Sequence, residues 1–272
     1  MARPIAGRIV TRQRRITEAS LAARPAVRKI AAAFREIAML SLLAALALQI
    51  ASPTVVPDGG RISEERKCFT LSMTRDGASR PIGVTWQTIE RDTVAGNPVL
   101  RVVVHQSVHG GAFDMRDEFL LEAASLRPIS LINTRQGQVH ARLSYGPDRI
   151  TGERIEGGVS RPIDVPLTGP VWEGNLFGQT FAALPLAEGA TFSLPYWQYD
   201  KGFGTFSVRV VGSETVRTPD GPIEAWVVEA GAEPGRTLTD LISTSGNREL
   251  GYRAAQGSQA LGGDCSSLET AS

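Results

Sequence analysis

The feature that most limits the fold is a hydrophobic period of two, interrupted by glycine and proline at short intervals. In NPVLRVVVHQSV, Leu100, Val102 and Val104 fall on one face. In QVHARLSYG, Val139 and Leu143 alternate with polar residues in the same way. Turn residues recur about every 8–15 residues, which is typical of short antiparallel strands. We therefore predict a mainly β chain, a single antiparallel half-barrel or barrel of about eleven or twelve strands.

One segment departs from this period. In VWEGNLFGQTFAALPL, Phe177, Phe181 and Leu184 have the spacing of one helical face, and Pro185 ends the pattern. We predict one short helix at about 172–184 that lies across the sheet or plugs one end of the barrel.

A long hairpin is predicted at 207–230, SVRVVGSETVRTPDGPIEAWVVEA. Its centre, TPDG, supplies the turn, since glycine adopts positive φ at little cost. Val211, Trp226 and Val228 make the second face apolar as well. A sheet with one face in water would alternate more cleanly, so we expect the second face to meet a helix, another sheet or a ligand.

Positive charge is concentrated at the N-terminus. Residues 1–47 carry nine basic and two acidic groups, a net +7, whereas the remainder carries 20 basic and 26 acidic groups, a net −6. The acidic body argues against a nucleic-acid partner, because phosphate binding needs clustered lysine and arginine.

The basic stretch leads into an apolar run, 37–51, that is shorter than the roughly 20 residues that span a bilayer. Ala45-Leu46-Ala47 has the small-x-small form of a signal-peptidase site. We predict a signal segment at about 27–52 and a periplasmic, exported protein; the alternative is an inner-membrane anchor formed by the same segment, the only membrane contact expected. The predicted division of the chain is a basic n-region plus signal segment (1–52), a linker (53–66), an antiparallel β domain (67–265) and a disordered tail (266–272).

The two cysteines, Cys68 and Cys265, lie near the two ends of the predicted β domain. Domain termini often approach each other, and exported proteins keep disulfides. We predict a Cys68–Cys265 disulfide, with two unrelated thiols as the alternative. Neither cysteine has a close partner at metal-ligand spacing.

Several segments in sequence order resemble an uncharacterised family of exported bacterial β proteins known only as a domain of unknown function. The resemblance covers about 117–253 and consists of turn-and-strand patterns such as LPL-x-x-G and E-x-V-x-T-P-x-G. The family is distantly similar in architecture to periplasmic lipoprotein carriers, open half-barrels whose concave apolar face is closed by short helices. The resemblance implies such a face, and it brings no catalytic residues. The segments are SLRPIS (125–130), DRITGE (148–153), LPLAEGATFSLPYW (184–197), VVGSETVRTPDGPIEAWVVE (210–229) and NRELGYR (247–253).

A search for catalytic or metal-binding chemistry finds little. His105 and His109 are four residues apart, which on a strand is about 13 Å and too far for shared coordination. We find neither a nucleophile elbow nor a phosphate-binding loop. We predict no metal and no cofactor.

Asp117 and two aromatic residues are more informative. Asp117 alternates with apolar residues on one face, so either a bulge turns it outward or it pairs with an arginine that could orient a ligand head group. Trp197 and Tyr199 share one face of TFSLPYWQYD and either line the rim of a site or pack under the helix.

The leading hypothesis is a non-enzymatic, exported β protein that binds a hydrophobic, lipid-like ligand in a concave apolar face. The alternative is a structural or protein-interaction module of the cell envelope with the same face filled by its own side chains and an exposed edge that recruits partners by strand addition. A third hypothesis is a hydrolase of unfamiliar type. An open pocket above about 300 Å³ would favour the ligand, and a packed centre the module. The candidate ligand-binding residues are Trp197, Tyr199, Trp226, Phe177, Phe181 and Asp117.

Overall fold

A computed structural model describes residues 55–108, 111–233 and 236–269. The predicted signal segment lies outside these ranges. All described residues belong to one unit, 51–272. Within them, none of the helices has the length and apolar character that a membrane crossing requires.

Fifteen strands form in the described part of the chain. The first eight are β1 (Glu65–Arg75), β2 (Ala78–Val94), β3 (Asn97–Val108), β4 (Phe113–Glu122), β5 (Pro128–Arg135), β6 (Gln138–Tyr145), β7 (Arg149–Glu156) and β8 (Val159–Pro166). The others are β9 (Trp172–Glu173), β10 (Thr191–Gln198), β11 (Gly202–Thr218), β12 (Gly221–Glu233), β13 (Arg236–Ser243), β14 (Glu249–Ala254) and β15 (Gly257–Leu261). The helices are a 3-10 turn (Gly59–Arg61), α1 (Phe177–Ala182) and α2 (Ser266–Glu269).

The hairpins arise from local turn chemistry. Two-residue loops with positive φ at both positions, Asp76–Gly77 and Gln136–Gly137, join β1 to β2 and β5 to β6. Such loops match the twist of the strands that they connect.

All fifteen strands form one open sheet in the order β8-β7-β6-β5-β4-β3-β2-β1-β15-β14-β13-β12-β11-β10-β9. Only β9 and β10 pair in parallel. The N-terminal and C-terminal strands are neighbours in the middle of the sheet, with Phe69 opposite Leu261. The two edge strands, β8 and β9, follow each other in the sequence and are separated by 167–171. The predicted mainly β architecture is confirmed, and of the two forms predicted, half-barrel or barrel, the open sheet is consistent with the half-barrel.

One apolar cluster, the inner core, receives side chains from both halves of the sheet. Leu121 and Leu143 come from the first half, and Leu194 and Ile242 from the second. Because these side chains meet in one cluster, the sheet is rolled around its own concave face. Trp172 Nε1 donates a hydrogen bond to a main-chain carbonyl in the β4–β5 turn at 3.0 Å, which holds β9 against the opposite side of the roll.

The hairpin of β11 and β12 is fully covered on one face and only partly on the other. Val210 and Val228 enter the inner core. On the opposite face Ala225 contributes to a second cluster, the outer cluster, together with buried Leu241 and Leu250. This cluster is formed by neighbouring strands of the same sheet rather than by a helix or another sheet, and Val211, which was expected on a covered face, is 39 % exposed.

Three local expectations differ from the structure. There are fifteen strands rather than eleven or twelve. The helix predicted at 172–184 is limited to α1, because Trp172–Glu173 pair as β9. The tail predicted to be disordered forms α2 in part, since Leu268 is buried and its N–H bonds to the Cys265 carbonyl at 2.8 Å.

The predicted disulfide is confirmed. Cys68 in β1 and Cys265 after β15 are bonded, with their Cα atoms 5.8 Å apart and a sequence separation of 197. The predicted linker is docked at its end, since the N–H of Asp58 bonds to the Ala183 carbonyl at 2.9 Å.

Candidate functional site

The aromatic residues predicted to line a ligand pocket lie in or against the inner core. Phe181 is 0 % exposed, Trp197 4 % and Tyr199 9 %. Phe177 and Trp226 are partly buried and pack on the same core. The structure thus brings these residues into one packed interior.

An aromatic cluster fills the space between α1 and the sheet. The Tyr196 and Phe206 rings stack with centroids 4.2 Å apart, and Phe181 meets Phe206 edge-on at 5.5 Å. Phe177 packs against Tyr252 at 5.6 Å. Rings of this size bury about 150–250 Å² each, so this cluster alone occupies a large part of the concave face.

The helix α1 is docked by one close approach. A Cβ added to Gly178 would lie 2.4 Å from the Glu249 carboxylate, so a larger residue there would have to displace this buried side chain. The neighbouring Gln179 donates a hydrogen bond to Glu249 Oε2. The helix is therefore fastened to β14 through a buried polar contact beside the aromatic rings.

Glu249 belongs to a buried polar group, the lysine cluster. Lys67 Nζ lies 2.7 Å from Glu65 Oε1 and 3.9 Å from Glu249 Oε2, with the lysine side chain 2 % exposed. Asp240 is completely buried, and its Oδ1 accepts the N–H of Leu241 at 3.0 Å. Burial, reinforced by the charge of Glu249, raises the pKa of Asp240 well above its usual range.

A second buried polar group, the carboxyl cluster, joins four strands on the other side of the interior. Tyr145 in β6 donates a short hydrogen bond to Glu173 in β9. Asn133 Nδ2 in β5 donates to Asp117 Oδ1 in β4 at 2.6 Å. β4, β5, β6 and β9 therefore each contribute one polar side chain to this cluster, and the charge of Asp117 acts on Glu173.

Both carboxyls of this cluster have raised pKa values. Burial raises the pKa of Glu173 to about 8, against a lowering by its hydrogen bond from Tyr145. Burial raises the pKa of Asp117 to about 6, and the amide of Asn133 and the charge of Arg135 lower it. Glu173 therefore keeps its proton at pH 7, and its contact with Tyr145 is then a neutral hydrogen bond.

The two alternatives predicted for Asp117 are both wrong. The register of β4 is regular at this residue, and the side chain is 3 % exposed, so no bulge turns it outward. Its hydrogen-bond partner is the Asn133 amide rather than an arginine. Arg135 acts on it only through its charge, and its guanidinium donates to the Tyr199 hydroxyl at 2.8 Å.

The histidine prediction is tested at one position. His105 is buried, with Nε2 3.3 Å from Asp114 Oδ2. His109 lies outside the described residues. Among the residues that the structure describes, no group of three or more His, Cys, Asp or Glu side chains is arranged to hold a metal ion.

Three clefts of the described part of the protein open at its surface. Two of about 340 and 390 Å³ share the ion-paired residues Arg66 and Glu90, whose side chains are 3.0 Å apart. A third of about 620 Å³ lies at the tip of the β11–β12 hairpin. The six predicted ligand-binding residues do not line any of these three clefts.

Sequence reasoning missed Glu173 and Lys67. Glu173 stands in the segment assigned to a helix, and no local pattern marks its burial against β6. Lys67 could have been found, because strand alternation places it on the same face as fully buried Phe69.

A fifteen-stranded, mostly antiparallel open sheet, rolled around an apolar core and carrying one disulfide beside its central β1–β15 pair, defines a mainly β protein. Residues 68–256, more than half of the chain, match the family described as Protein of unknown function (DUF3108), and the chain belongs to this family. The resemblance to an uncharacterised family is thereby confirmed. No curated protein and no solved structure matches the chain.

Proposed function

We propose that this protein is exported to the cell envelope and serves there as a non-enzymatic protein-interaction module built on a filled β roll. The observation that supports this most directly is the packed interior. Phe181 is 0 % exposed, Trp197 4 % and Tyr199 9 %, at positions where a ligand cavity was predicted. An apolar ligand needs about 300 Å³ or more of open space, and the burial of these side chains against one another supports a packed interior instead.

Export is supported by the sequence and by the disulfide. The +7 segment followed by an apolar run is typical of a signal, and Cys68–Cys265 is a bond that persists in oxidising compartments. The predicted location is the periplasm, with anchorage to the inner membrane by the same segment as the alternative.

Native mass spectrometry of the full chain, expressed with export and purified without detergent, tests the proposal. We expect a protein that carries no bound lipid and whose denatured mass lacks two hydrogens, as the disulfide requires. A stable adduct of lipid-like mass would contradict the module and favour a carrier.

A hydrophobic-ligand carrier is the second candidate, favoured by one observation. The six-residue helix α1 covers the aromatic cluster, and a helix of this size could open as a lid. In a carrier, Trp197→Ala combined with Trp226→Ala would remove the lipid adduct, while the exposed control Val211→Ala would retain it.

A further inference from the structure

The two outer edges of the sheet do not favour a further strand. At the end of β8, the N–H of Leu167 bonds to the Asp148 carbonyl. By alternation, the main-chain N–H and C=O groups of odd-numbered β8 residues point to β7, and those of even-numbered residues point to the open side of the sheet. Pro162 and Pro166 are therefore on the open side, where they offer no N–H donor. The other edge strand, β9, has two residues, and both are buried.

A different edge is free on the β11–β12 hairpin. The ladder between β10 and β11 ends at the pair Thr191–Arg209, whereas that between β11 and β12 continues to Thr218–Gly221. Within the described part of the protein, residues 211–218 of β11 therefore have a neighbouring strand on one side only.

The free side presents three main-chain donors. Arg217 lies opposite Pro222, which has no N–H, so this is a non-hydrogen-bonded pair. By alternation, the N–H and C=O groups of Ser213, Thr215 and Arg217 point away from β12. All three residues are exposed, and their N–H groups have no hydrogen-bond partner among the described residues.

Another strand segment without a neighbour on one side shows how such N–H donors are satisfied elsewhere in the protein. In β2, beyond its ladder with β1, the N–H of Arg91 bonds to Glu64 Oε1 at 2.8 Å. The N–H of Thr93 bonds to Asp92 Oδ1 at 2.7 Å. Among the described residues, no carboxylate accepts a hydrogen bond from the free N–H groups of the β11 edge.

A cleft of about 620 Å³ lies beside the free donors. Arg217 is the one charged residue of its lining, and it has no ion pair among the described residues. Proline, glycine and the threonine methyl groups supply the remaining surface. The lining residues are Thr215, Arg217, Thr218, Gly221 and Pro222.

We propose that residues 213–217 of β11 bind an extended segment of a partner protein, which adds to the hairpin as a further strand and places an acidic side chain against Arg217. Main-chain bonds supply affinity in this mode, and pockets for alternate side chains supply specificity. The acidic character follows from the lone positive charge in the cleft. This inference rests on the proposed interaction function and names its partner class.

The test uses a short capped peptide of alternating valine and glutamate and its lysine-for-glutamate counterpart, added to the isotope-labelled full chain. We expect the acidic peptide to shift and protect the amides of Ser213, Thr215 and Arg217. Thr215→Pro removes the central donor at a position that does not bond to β12, so it should weaken binding about tenfold or more. Ser160→Pro, the same type of change on the outward side of β8, is the matched control and should bind like the wild type.

A charge exchange provides a second readout that does not depend on proline. Arg217→Glu should weaken the acidic peptide and strengthen the lysine peptide. Unmoved amides in the wild type at saturating peptide, or equal binding by Thr215→Pro and Ser160→Pro, would overturn the edge site. Partner proteins that crosslink to both the wild type and Thr215→Pro in cells would leave the interaction function standing without this edge, whereas a lipid adduct in native mass spectrometry would remove the interaction function itself.

Discussion

The hydrogen bond between Tyr145 and Glu173 depends on pH, because the Glu173 carboxyl can ionise. The glutamate pKa rises from 4.5 to about 8 on folding because burial disfavours the carboxylate. Between these values the folded state holds a proton that the unfolded state has released. Stability from this group is therefore complete below pH 4.5 and is lost as the pH rises toward 8. Asp117 acts in the same direction between 3.8 and about 6.

We expect Glu173→Gln to flatten this pH dependence. The amide retains a hydrogen-bonding partner for Tyr145 but cannot ionise, so a contribution on the order of 4 kcal/mol between pH 5 and 8 should disappear. Urea unfolding at a series of pH values measures this slope. Tyr145→Phe is the control, since it lowers stability by about 1–3 kcal/mol and keeps the titrating carboxyl. Equal slopes in Glu173→Gln and the wild type would show that the carboxyl is ionised in the fold.

Gly178 provides a prediction about the docking of α1. Gly178→Ala places a Cβ against Glu249, so we expect a loss of about 1–3 kcal/mol in the free energy of unfolding. Gly169→Ala, where an added Cβ meets nothing, is the matched control and should change stability by less than about 1 kcal/mol. Thermal unfolding of both variants tests this prediction. Similar melting temperatures for Gly178→Ala and Gly169→Ala would mean that α1 is free to shift.

The residues that escaped prediction are polar residues buried by distant contacts. Asp117 was singled out because it alternates with apolar neighbours, but its partner Asn133 lies on another strand and carries no local signal. Glu173 is buried only because the sheet rolls β9 onto β6. The apolar side chains of the site were found because their period is local.

At the scale of elements, the β11–β12 hairpin shows what a sequence pattern can and cannot specify. Apolar residues on both faces predicted that both would be covered, but Val211 is 39 % exposed and the second face is buried only by its neighbours in the same sheet. The cover of the second face, Leu241 and Leu250, belongs to later strands and has no counterpart in the hairpin sequence. The strand count was low partly because a two-residue strand such as β9 cannot be recognised by alternation.

The outer cluster should hold the hairpin tip independently of the inner core. Ile223 packs against this cluster, so Ile223→Ser should speed amide exchange in residues 213–224 by about tenfold, with little change in β4 and β5. Val211→Ser, at an exposed position of the same hairpin, is the control. Faster exchange throughout the sheet would mean that the two clusters unfold as one.

At the scale of the whole molecule, the disulfide joins the two ends of the β domain. It closes a loop of nearly the whole domain, and the chain-entropy model gives about 4–5 kcal/mol for such a bond, usually less in practice. We expect the double variant Cys68→Ser, Cys265→Ser to fold with a lower melting temperature, measured by circular dichroism against the reduced and oxidised wild type. An unchanged melting temperature would mean that the β1–β15 ladder alone holds the ends together.

Because β1 lies beside β15, the spatial order of the strands is a circular permutation of their order along the chain. Every neighbouring pair except β1–β15 is consecutive along the chain, and the two edge strands are separated only by residues 167–171. A chain cut within 167–171 and joined between the two ends of the β domain would visit the strands in their spatial order from one edge to the other, as an antiparallel meander from β10 onward. In the natural order, the β1–β15 ladder forms only when the two ends of the domain meet. Pairing of strands so far apart in the sequence is the slow, non-local step in folding a sheet of this kind.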